Sequence, residues 1–290
     1  MEKSVAIIGV GNMGGGMALN LLAQGWRVTV CDTDVTKTRY FSEKNANVSL
    51  KPSDSAIENR VCIVCVVDAQ QTHEVLFGAH GLAASAQVGD AVLLCPTLSP
   101  ASVEQFAQQL AIYGVQTIDA PMSGGPARAA DGSMSLMVAC ADQVYASHKP
   151  LLDALSSKLF RISSKVGDGA RTKLVNNLLA GINLVGAAEV LALADTMGLN
   201  VATTLSVIEQ SSGQSWIGSD RMRRALTGDY APRAHMTLLE KDTRLALEAA
   251  AAVGYPSPLG QLASNAFAQA SAAGLAGQDD AAMYKHLGGR

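Results

Sequence analysis

The sequence predicts a domain with a doubly wound parallel sheet covered by helices on both faces, followed by an all-α domain. In residues 1–162, short β-rich runs alternate with helical segments, which is the pattern of a parallel sheet joined by crossover helices. The β-rich runs are almost continuously apolar, as strands covered on both faces must be. From about Ser163 the chain is rich in Ala and Leu and helical in period, so residues 163–290 are predicted to form the second domain.

The elements can be placed along the chain in order. A helix from about Gly14 to Gln24 follows the first predicted strand. A helix over residues 167–197 forms the junction of the two domains, and the later helices are separated by breaks rich in Gly, Ser and Pro. The predicted strands are SVAIIGV, RVTVCD, VCIVCVV, AVLLCP, GVQTIDAP and MSLMVAC, and the breaks lie near Gly198, 211–213, 228–232 and 254–258.

Composition narrows the classes of partner. The 290 residues are 48% hydrophobic and 16% charged, with a formal net charge of -3, which disfavours nucleic-acid binding through a broad basic surface and favours a small-molecule partner. The N-terminus has no basic region followed by a long apolar segment, so we expect a cytoplasmic protein. The most apolar stretch, LLAGINLVGAAEVLALA, contains Asn183 and Glu189, which favours a buried core helix over a membrane span.

Two of the five cysteines, Cys62 and Cys65, form a CxxC pattern inside a predicted strand. Positions three apart on a strand point to opposite faces, and no second Cys or His cluster follows. We therefore expect core cysteines and no metal site.

A glycine-rich loop follows the first predicted strand and opens the first helix. Gly9, Gly11 and Gly14 form the pattern G-x-G-x-x-G. Glycine permits a tight turn, close approach of the backbone to a pyrophosphate, and close packing of the helix on the strand, while the helix N-terminus supplies N–H donors. The strand, loop and helix together predict a Rossmann-type dinucleotide-binding domain.

Asp32 ends the second predicted strand, about twenty residues after the glycine loop. A carboxylate at this place can accept hydrogen bonds from the ribose hydroxyls and repels a 2′-phosphate, so NAD is favoured over NADP. Lys37 and Arg39 follow closely and keep NADP possible. The alternative is that Asp32 is only a turn residue.

A second loop of small and polar residues follows the strand GVQTIDAP. Ser123, Gly124 and Gly125 lie between two prolines, a composition unsuited to a helix or a strand interior. Such a loop can present backbone N–H groups and the Ser hydroxyl to a substrate carboxylate. A plain turn between elements explains the same composition equally well.

The predicted junction helix begins with polar residues beside its apolar stripe. Lys173 and Asn177 are four apart and so lie on one helix face, where they can present an ammonium and an amide to one point. The alternative is a solvated face near a helix end.

Four ordered motifs, GVGNMGGGMALNL, DAPMSGG, the helix start GDGARTKLVNN and LEKDTRLALEAA, resemble the β-hydroxyacid dehydrogenase family over essentially the whole chain. The resemblance implies hydride transfer between a nicotinamide and a small 3-hydroxy acid, with Lys173 as the acid/base residue and Asn177 holding the substrate. It places the contacts to the substrate carboxylate on Ser123, Gly124 and Gly125. The implied cofactor contacts are Gly9, Gly11, Asn12, Met13, Gly14, Val66, Val67, Thr97 and Lys241.

Elementary chemistry agrees with a basic group at Lys173, since hydride transfer needs a residue that removes or supplies the hydroxyl proton. A lysine in the first turn of a buried helix would have its pKa lowered by burial and by the helix N-terminus. The five histidines are scattered and are expected to be surface or structural. Without the family, Lys241 and Asp242 would be interpreted as an exposed charge pair. The resemblance implies instead that Lys241 reaches the cofactor or the neighbouring substrate carboxylate, and that Asp242 is structural.

The segment SSGQSWIGSDRMRRALTGDYAPRA, with Ser215, Trp216 and Arg221, is similar to that of L-threonate dehydrogenases. We expect a threonate-like substrate, or tartronate semialdehyde and D-glycerate, ahead of hydroxyisobutyrate. The alternatives are an imine reductase-like enzyme, which typically lacks this lysine, and a non-catalytic NAD-binding redox sensor. The apolar helical domain also predicts a homodimer or homotetramer.

Overall fold

The computed structural model describes residues 3–288 of the chain. The chain divides into two compact units, Met1–Lys173, here called the sheet unit, and Leu174–Arg290, here called the helical unit. The domain boundaries expected from the sequence, 1–162 and 163–290, stay a prediction, because a division by contacts does not test where each part folds.

The sheet unit contains one nine-stranded sheet, in which the order along the sheet is β3-β2-β1-β4-β5-β6-β8-β7 and β9 pairs with β8. The strands from β3 to β6 in that order are parallel, which confirms the predicted fold class. The strands are β1 (Ser4–Ile8), β2 (Arg27–Cys31), β3 (Asn47–Val48), β4 (Val61–Val64), β5 (Ala91–Leu94), β6 (Gln116–Asp119), β7 (Met122–Ser123), β8 (Ser135–Ala139) and β9 (Lys158–Ser163).

The strand order reverses at β1, since β2 and β4 lie on its two sides. In open α/β sheets, ligands bind beside the carboxyl ends of the strands where the order reverses. This edge receives the loops after β1, β2, β4, β5 and β6, because the carboxyl ends of parallel strands lie at the same edge.

One predicted strand differs from the expected parallel arrangement. MSLMVAC forms β8, which runs antiparallel to β6 and β7, with Met122 opposite Leu136. The chain between β7 and β8 forms the short helix Gly125–Asp131 instead of a crossover that would return it to the same direction.

Helices cover both faces of the sheet, and the strand residues alternate between two cores. Val5 and Ile7 belong to one core with Met17 and Leu21, while their neighbours Ala6 and Ile8 belong to the other. The helices are α1 (Asn12–Ala23), α2 (Val35–Ser42), α3 (Pro52–Glu58), α4 (Ala69–Phe77), α5 (Pro100–Ile112), α6 (Gly125–Asp131) and α7 (Asp142–Leu155).

Helix α8 (Asp168–Thr196) begins in the sheet unit and ends in the helical unit, close to the predicted 167–197. Within residues 3–288 it is the only helix long and apolar enough to span a membrane, with a mean hydropathy of 1.6 in its most apolar window. The other helices of the helical unit are α9 (Val201–Glu209), α10 (Trp216–Leu226), α11 (Met236–Ala252), α12 (Pro258–Ala270) and α13 (Met283–His286), and their core includes Leu184, Leu191, Met222, Phe267 and Tyr284.

Candidate functional site

The glycine loop between β1 and α1 is too tightly packed for side chains at two of its three glycines. Gly9 has a φ of +90°, and a Cβ there would lie 2.5 Å from the carbonyl oxygen of Cys65. A Cβ on Gly14 would lie 2.0 Å from the carbonyl oxygen of Gly9. These approaches bring the start of α1 directly against β1 and β4, as the dinucleotide fingerprint requires.

Gly11 differs, because a Cβ at this position would meet no atom of the chain within 4 Å. Gly11 caps α1, and the exposed Asn12 and half-buried Met13 form the first turn. The first N–H groups of a helix have no partner within the helix and favour an anion. The loop therefore leaves an open cradle of backbone donors that fits a dinucleotide pyrophosphate.

Asp32 follows β2 at the same edge and is half-buried. Its Oδ2 accepts a hydrogen bond from the Val10 N–H at 2.8 Å, and its Oδ1 accepts one from the Asp34 N–H at 2.9 Å. The Nζ of Lys37 lies 3.8 Å from Oδ1. Asp32 is thus more than a turn residue, since its carboxylate also holds the glycine loop.

Three of the implied cofactor contacts, Val66, Val67 and Thr97, lie on the next two loops along the sheet. Val66 and the exposed Val67 follow β4, and Gln71 Oε1 accepts a hydrogen bond from the Val67 N–H at 3.1 Å. The half-buried Thr97 follows β5. Both loops therefore reach the edge that carries the glycine loop.

The second polar loop continues this edge beyond β6. Ser123 ends β7, and Gly124 and Gly125 have φ values of +134° and +77°, in the region that favours glycine. All three residues are half-buried. Helix α6 then packs on α1 so closely that a Cβ on Gly16 would lie 2.8 Å from the Ala129 Cβ. The helix that follows the Ser123 loop therefore packs directly against the helix that follows the glycine loop.

Lys173 is buried, with 7% of its surface exposed, so it is not part of a solvated helix face. The sequence predicted Lys173 in the first turn of the helix. Because α8 begins at Asp168, Lys173 lies in the second turn instead. The helix dipole weakens within the first turn. Of the two features expected from the sequence, burial is therefore the one that the structure shows at Lys173.

Asp119, a carboxylate at the end of β6 with 1% of its surface exposed, was not predicted from the sequence as a site residue. Its Oδ2 accepts hydrogen bonds from the N–H groups of Gly167 at 2.8 Å and Ala170 at 3.1 Å. Burial raises its pKa to about 6, although these N–H donors act in the opposite direction. A charged residue within the apolar run GVQTIDAP was the signal that could have identified it.

The helical unit contributes a separate polar cluster. Asn177 is buried and donates its Nδ2 to Asp242 Oδ2 at 2.6 Å, while Asn176 donates to Asn177 Oδ1 at 3.0 Å. The Nζ of Lys241 lies 3.1 Å from Asp242 Oδ1. Asp242 is buried, so the pair is not the exposed charge pair of the alternative interpretation. The Asp242 carboxylate orients both Asn177 and Lys241.

The side chains considered for substrate choice are engaged within the helical unit. Ser215 caps α10 by accepting a hydrogen bond from the Gly218 N–H at 3.1 Å. Arg221 Nε donates to Asp280 Oδ1, and its Nη1 to Asp220 Oδ2. Trp216 is half exposed. Ser215 and Arg221 therefore have structural roles.

The cysteines of the CxxC pattern are unreactive by their surroundings. Burial raises the pKa of both the Cys62 and the Cys65 thiol to about 12, so neither is a thiolate near neutral pH. Over residues 3–288, no three His, Cys, Asp or Glu side chains form a group that could hold a metal ion.

Known proteins resemble the whole chain. Residues 4–163 match the family model described as the NAD binding domain of 6-phosphogluconate dehydrogenase, and residues 167–287 match that of the NAD-binding of NADP-dependent 3-hydroxyisobutyrate dehydrogenase. The L-threonate dehydrogenase of Cupriavidus necator is 36% identical over 285 residues, which cover 98% of this chain and 96% of that protein.

Two solved structures have nearly the same fold. The 3-hydroxyisobutyrate dehydrogenase from Salmonella typhimurium has a TM-score of 0.91 at 33% identity, covering 97% of this chain and 99% of its own. Psf3 in complex with NADP+ and 2-OPP has a TM-score of 0.90 at 26% identity, covering 98% and 99%.

Proposed function

Because the chain belongs to the β-hydroxyacid dehydrogenase family, we propose that it transfers a hydride between a nicotinamide cofactor and a small 3-hydroxy acid. The family relationship confirms the prediction of an oxidoreductase with a nicotinamide-binding domain. Burial of Lys173 on the helix that starts beside Asp119 is the observation that carries the proposed chemistry.

In this proposal Lys173 moves the proton of the substrate hydroxyl. The nicotinamide, when bound, supplies or accepts the hydride. In the direction of oxidation, the neutral amine of Lys173 removes the hydroxyl proton; in reduction, the ammonium returns it to the new alkoxide oxygen. Asn177, which lies one helical turn further along α8, hydrogen-bonds the substrate and is itself oriented by Asp242. Ser123 and the N–H groups of Gly124 and Gly125 bind the carboxylate.

The cofactor is proposed to lie over the edge formed by the glycine loop, Asp32 and the β4 and β5 loops. NAD is the proposed preference, because Asp32 places a carboxylate where a 2′-phosphate would come. Weaker use of NADP is also proposed, because the Lys37 ammonium lies near both Asp32 and Asp34 and can attract a 2′-phosphate. The measurement is kcat/KM with each cofactor. Asp32→Asn should lower the ratio of kcat/KM with NAD to kcat/KM with NADP. A wild-type protein that prefers NADP would contradict the assignment.

The substrate is proposed to be threonate-like, or tartronate semialdehyde and D-glycerate. The similarity to the L-threonate dehydrogenase of Cupriavidus necator supports the first of these. The test is the absorbance of reduced nicotinamide with L-threonate, D-glycerate, 3-hydroxyisobutyrate and 3-hydroxypropionate. A signal with 3-hydroxyisobutyrate that exceeds both of the first two would overturn this order.

Lys173→Ala tests the proton transfer separately from binding. General acid–base catalysis contributes roughly 10²- to 10⁴-fold, so kcat should fall by about this factor while the Kd of the cofactor stays unchanged. Near-normal turnover would remove Lys173 from the mechanism. If no hydroxy acid is turned over although the cofactor binds, the redox-sensor alternative gains support. Turnover of cyclic imines in place of hydroxy acids would favour the imine reductase alternative.

The protein is further proposed to be a cytoplasmic homodimer or homotetramer. Val175, Leu179, Val190 and Leu193 are all exposed on α8. Their successive spacings of 4, 11 and 3 residues are each close to a whole number of helical turns, so they lie along one apolar stripe. A second copy would cover this stripe. Light scattering should give a multiple of 30.0 kDa, and the double variant Leu179→Glu and Leu193→Glu should lower the mass. Val88→Glu, at an exposed position of the sheet unit, serves as the control.

A further inference from the structure

The glycines that open α8 are explained by a carboxylate and not by the cofactor. Gly169 faces Asp119 so closely that a Cβ would lie 2.9 Å from the Cγ and from both oxygens of its carboxylate. Gly167 has a φ of +100° and donates its N–H to Asp119 Oδ2. The sequence Gly167-Asp168-Gly169 thus allows the backbone of α8 to close around Asp119.

We propose that Asp119 is a positioning residue for proton transfer, which fixes the first turn of α8 on the carboxyl end of β6 and thereby holds the Lys173 ammonium in place. The inference rests on the proposed function, since it assumes that Lys173 moves the proton. Ala170, whose N–H is bound by Asp119, precedes Lys173 by three residues, less than one helical turn. A displacement of this turn therefore moves Lys173 directly.

The clamp differs from an ordinary helix cap because its acceptor comes from a distant strand. Asp119 is 48 residues from Gly167 and 51 from Ala170, whereas a cap is local. It therefore sets the position of the helix relative to the sheet, and the sheet also carries the glycine loop and the Ser123 loop. A misplacement of about 1 Å can cost on the order of 10²-fold in rate.

The charge of Asp119 has a second effect on the same lysine. The Asp119 carboxylate binds the Ala170 N–H, three residues before Lys173, and a negative charge on this side of the helix favours the ammonium over the neutral amine, which opposes the effect of burial. The other titratable groups facing Asp119 are Asp168, Cys95 and Cys140. Asp168 is itself held by Ser163 Oγ at 2.7 Å and Arg171 Nη1 at 3.0 Å. Burial raises the pKa of both thiols, so they are neutral near pH 7.

The test uses two variants of the full-length protein and one matched control. Asp119→Ala removes the acceptor, while Asp119→Asn keeps an acceptor oxygen and removes the charge. Asp90→Asn is the control, because Asp90 is equally buried in the sheet unit and accepts the Gln87 N–H at 2.7 Å, but faces Arg60 instead of α8.

For Asp119→Ala, kcat with the best hydroxy acid should fall roughly 10- to 100-fold with KM changed less than about threefold. Hydrogen exchange of the amides of residues 167–173 should become faster. For Asp119→Asn, exchange should return toward the wild-type rate, but the pH profile of kcat for oxidation should move to lower pH. Asp90→Asn should change neither the exchange of these amides nor the pH profile.

The two proposals fail in different ways. If Lys173→Ala keeps its turnover, the proposed function fails, whatever Asp119 does. If Lys173→Ala is inactive while Asp119→Ala keeps kcat and the wild-type pH profile, only the positioning role is overturned. Unchanged amide exchange in Asp119→Ala would overturn the clamp itself. Should the Ala variant not fold, the pH profile of the Asn variant decides, and an unshifted profile overturns the inference.

Discussion

The sheet unit and the helical unit bind their buried polar groups in different ways. In the sheet unit, the glycine loop and the Gly124–Gly125 turn present backbone N–H groups, and Asp32 and Asp119 are bound by backbone N–H groups. In the helical unit, Asn177 and Lys241 are bound by the side chain of Asp242. The loops at the carboxyl ends of strands have backbone donors to spare, whereas helices use nearly all of theirs internally.

The same contrast appears in the buried charges. Burial raises the pKa of Asp119 to about 6, because peptide donors do not fully replace water. In the helical unit, Arg224 donates to Asp279 at 2.6 Å and helps to hold the pKa of that carboxyl well below its usual range, although burial acts against it. The neighbouring pair of Asp280 and Arg221 differs, because burial raises the pKa of Asp280 to about 7 although Arg221 acts to lower it.

The largest expected effect is in the helical unit, where buried charges depend on side chains. Arg224→Ala removes the hydrogen-bonded cation of the fully buried Asp279 and leaves only the more distant Arg221 Nε, 4.0 Å from Oδ1. This loss should lower the free energy of unfolding by about 3 kcal/mol. The measurement is urea unfolding. Arg223→Ala, next in the sequence and paired with Glu209 at the surface, should cost at most about 1 kcal/mol. Equal losses of unfolding free energy in the two variants would contradict the greater dependence of the buried carboxylate on its side-chain partner.

A smaller effect is expected from the pH dependence of stability in the sheet unit. The pKa of Asp119 is raised on folding, so the native state binds the proton more tightly, and the free energy of unfolding from this group falls as pH rises from about 4 to about 6. The free energy of unfolding of Asp119→Asn, relative to that of the wild type, should therefore rise by about 2–3 kcal/mol between pH 4 and pH 6. Unfolding measured at several pH values checks the slope.

Asp131→Asn is the control for that slope, because Asp131 is exposed and its hydrogen bond with Ser133 lowers its pKa. Its contribution is present above the ordinary Asp pKa and is lost as pH falls, so the variant should show the opposite sign. The same sign in both variants would mean that burial is not the cause at Asp119.

The smallest expected effect concerns a backbone site that a methyl group can block. Gly11→Ala meets no atom of the protein, so the stability should change by only a few tenths of a kcal/mol. The Cβ would nevertheless enter the cradle proposed for the pyrophosphate, so the Kd for NAD should rise about tenfold or more. Isothermal titration measures the Kd. Gly186→Ala, also in open space but on α8, should leave it unchanged.

The sequence predicted the elements that rest on local patterns. The glycine spacing, the apolar strands and the 167–197 helix all depend on neighbours in the chain, and they lie close to where they were expected. The reversed direction of β8 follows from the short helix α6, which joins β7 to β8 in place of a crossover. The pattern of the strand MSLMVAC itself does not encode that direction. The partners of Asn177 and the donors of Asp119 lie 65 and about 50 residues away, so their roles appear only in three dimensions.

Asp32 links the choice of cofactor to the shape of the loop that binds it. Because its carboxylate accepts the Val10 N–H, a residue without an acceptor at this position would loosen the turn before Gly11 as well as remove the ribose contact. Engineering this protein toward NADP by replacing Asp32 with a residue that has no acceptor should therefore weaken binding of both nucleotides. A redesign with such a residue would first have to give the Val10 amide another acceptor, so it requires at least two coordinated substitutions.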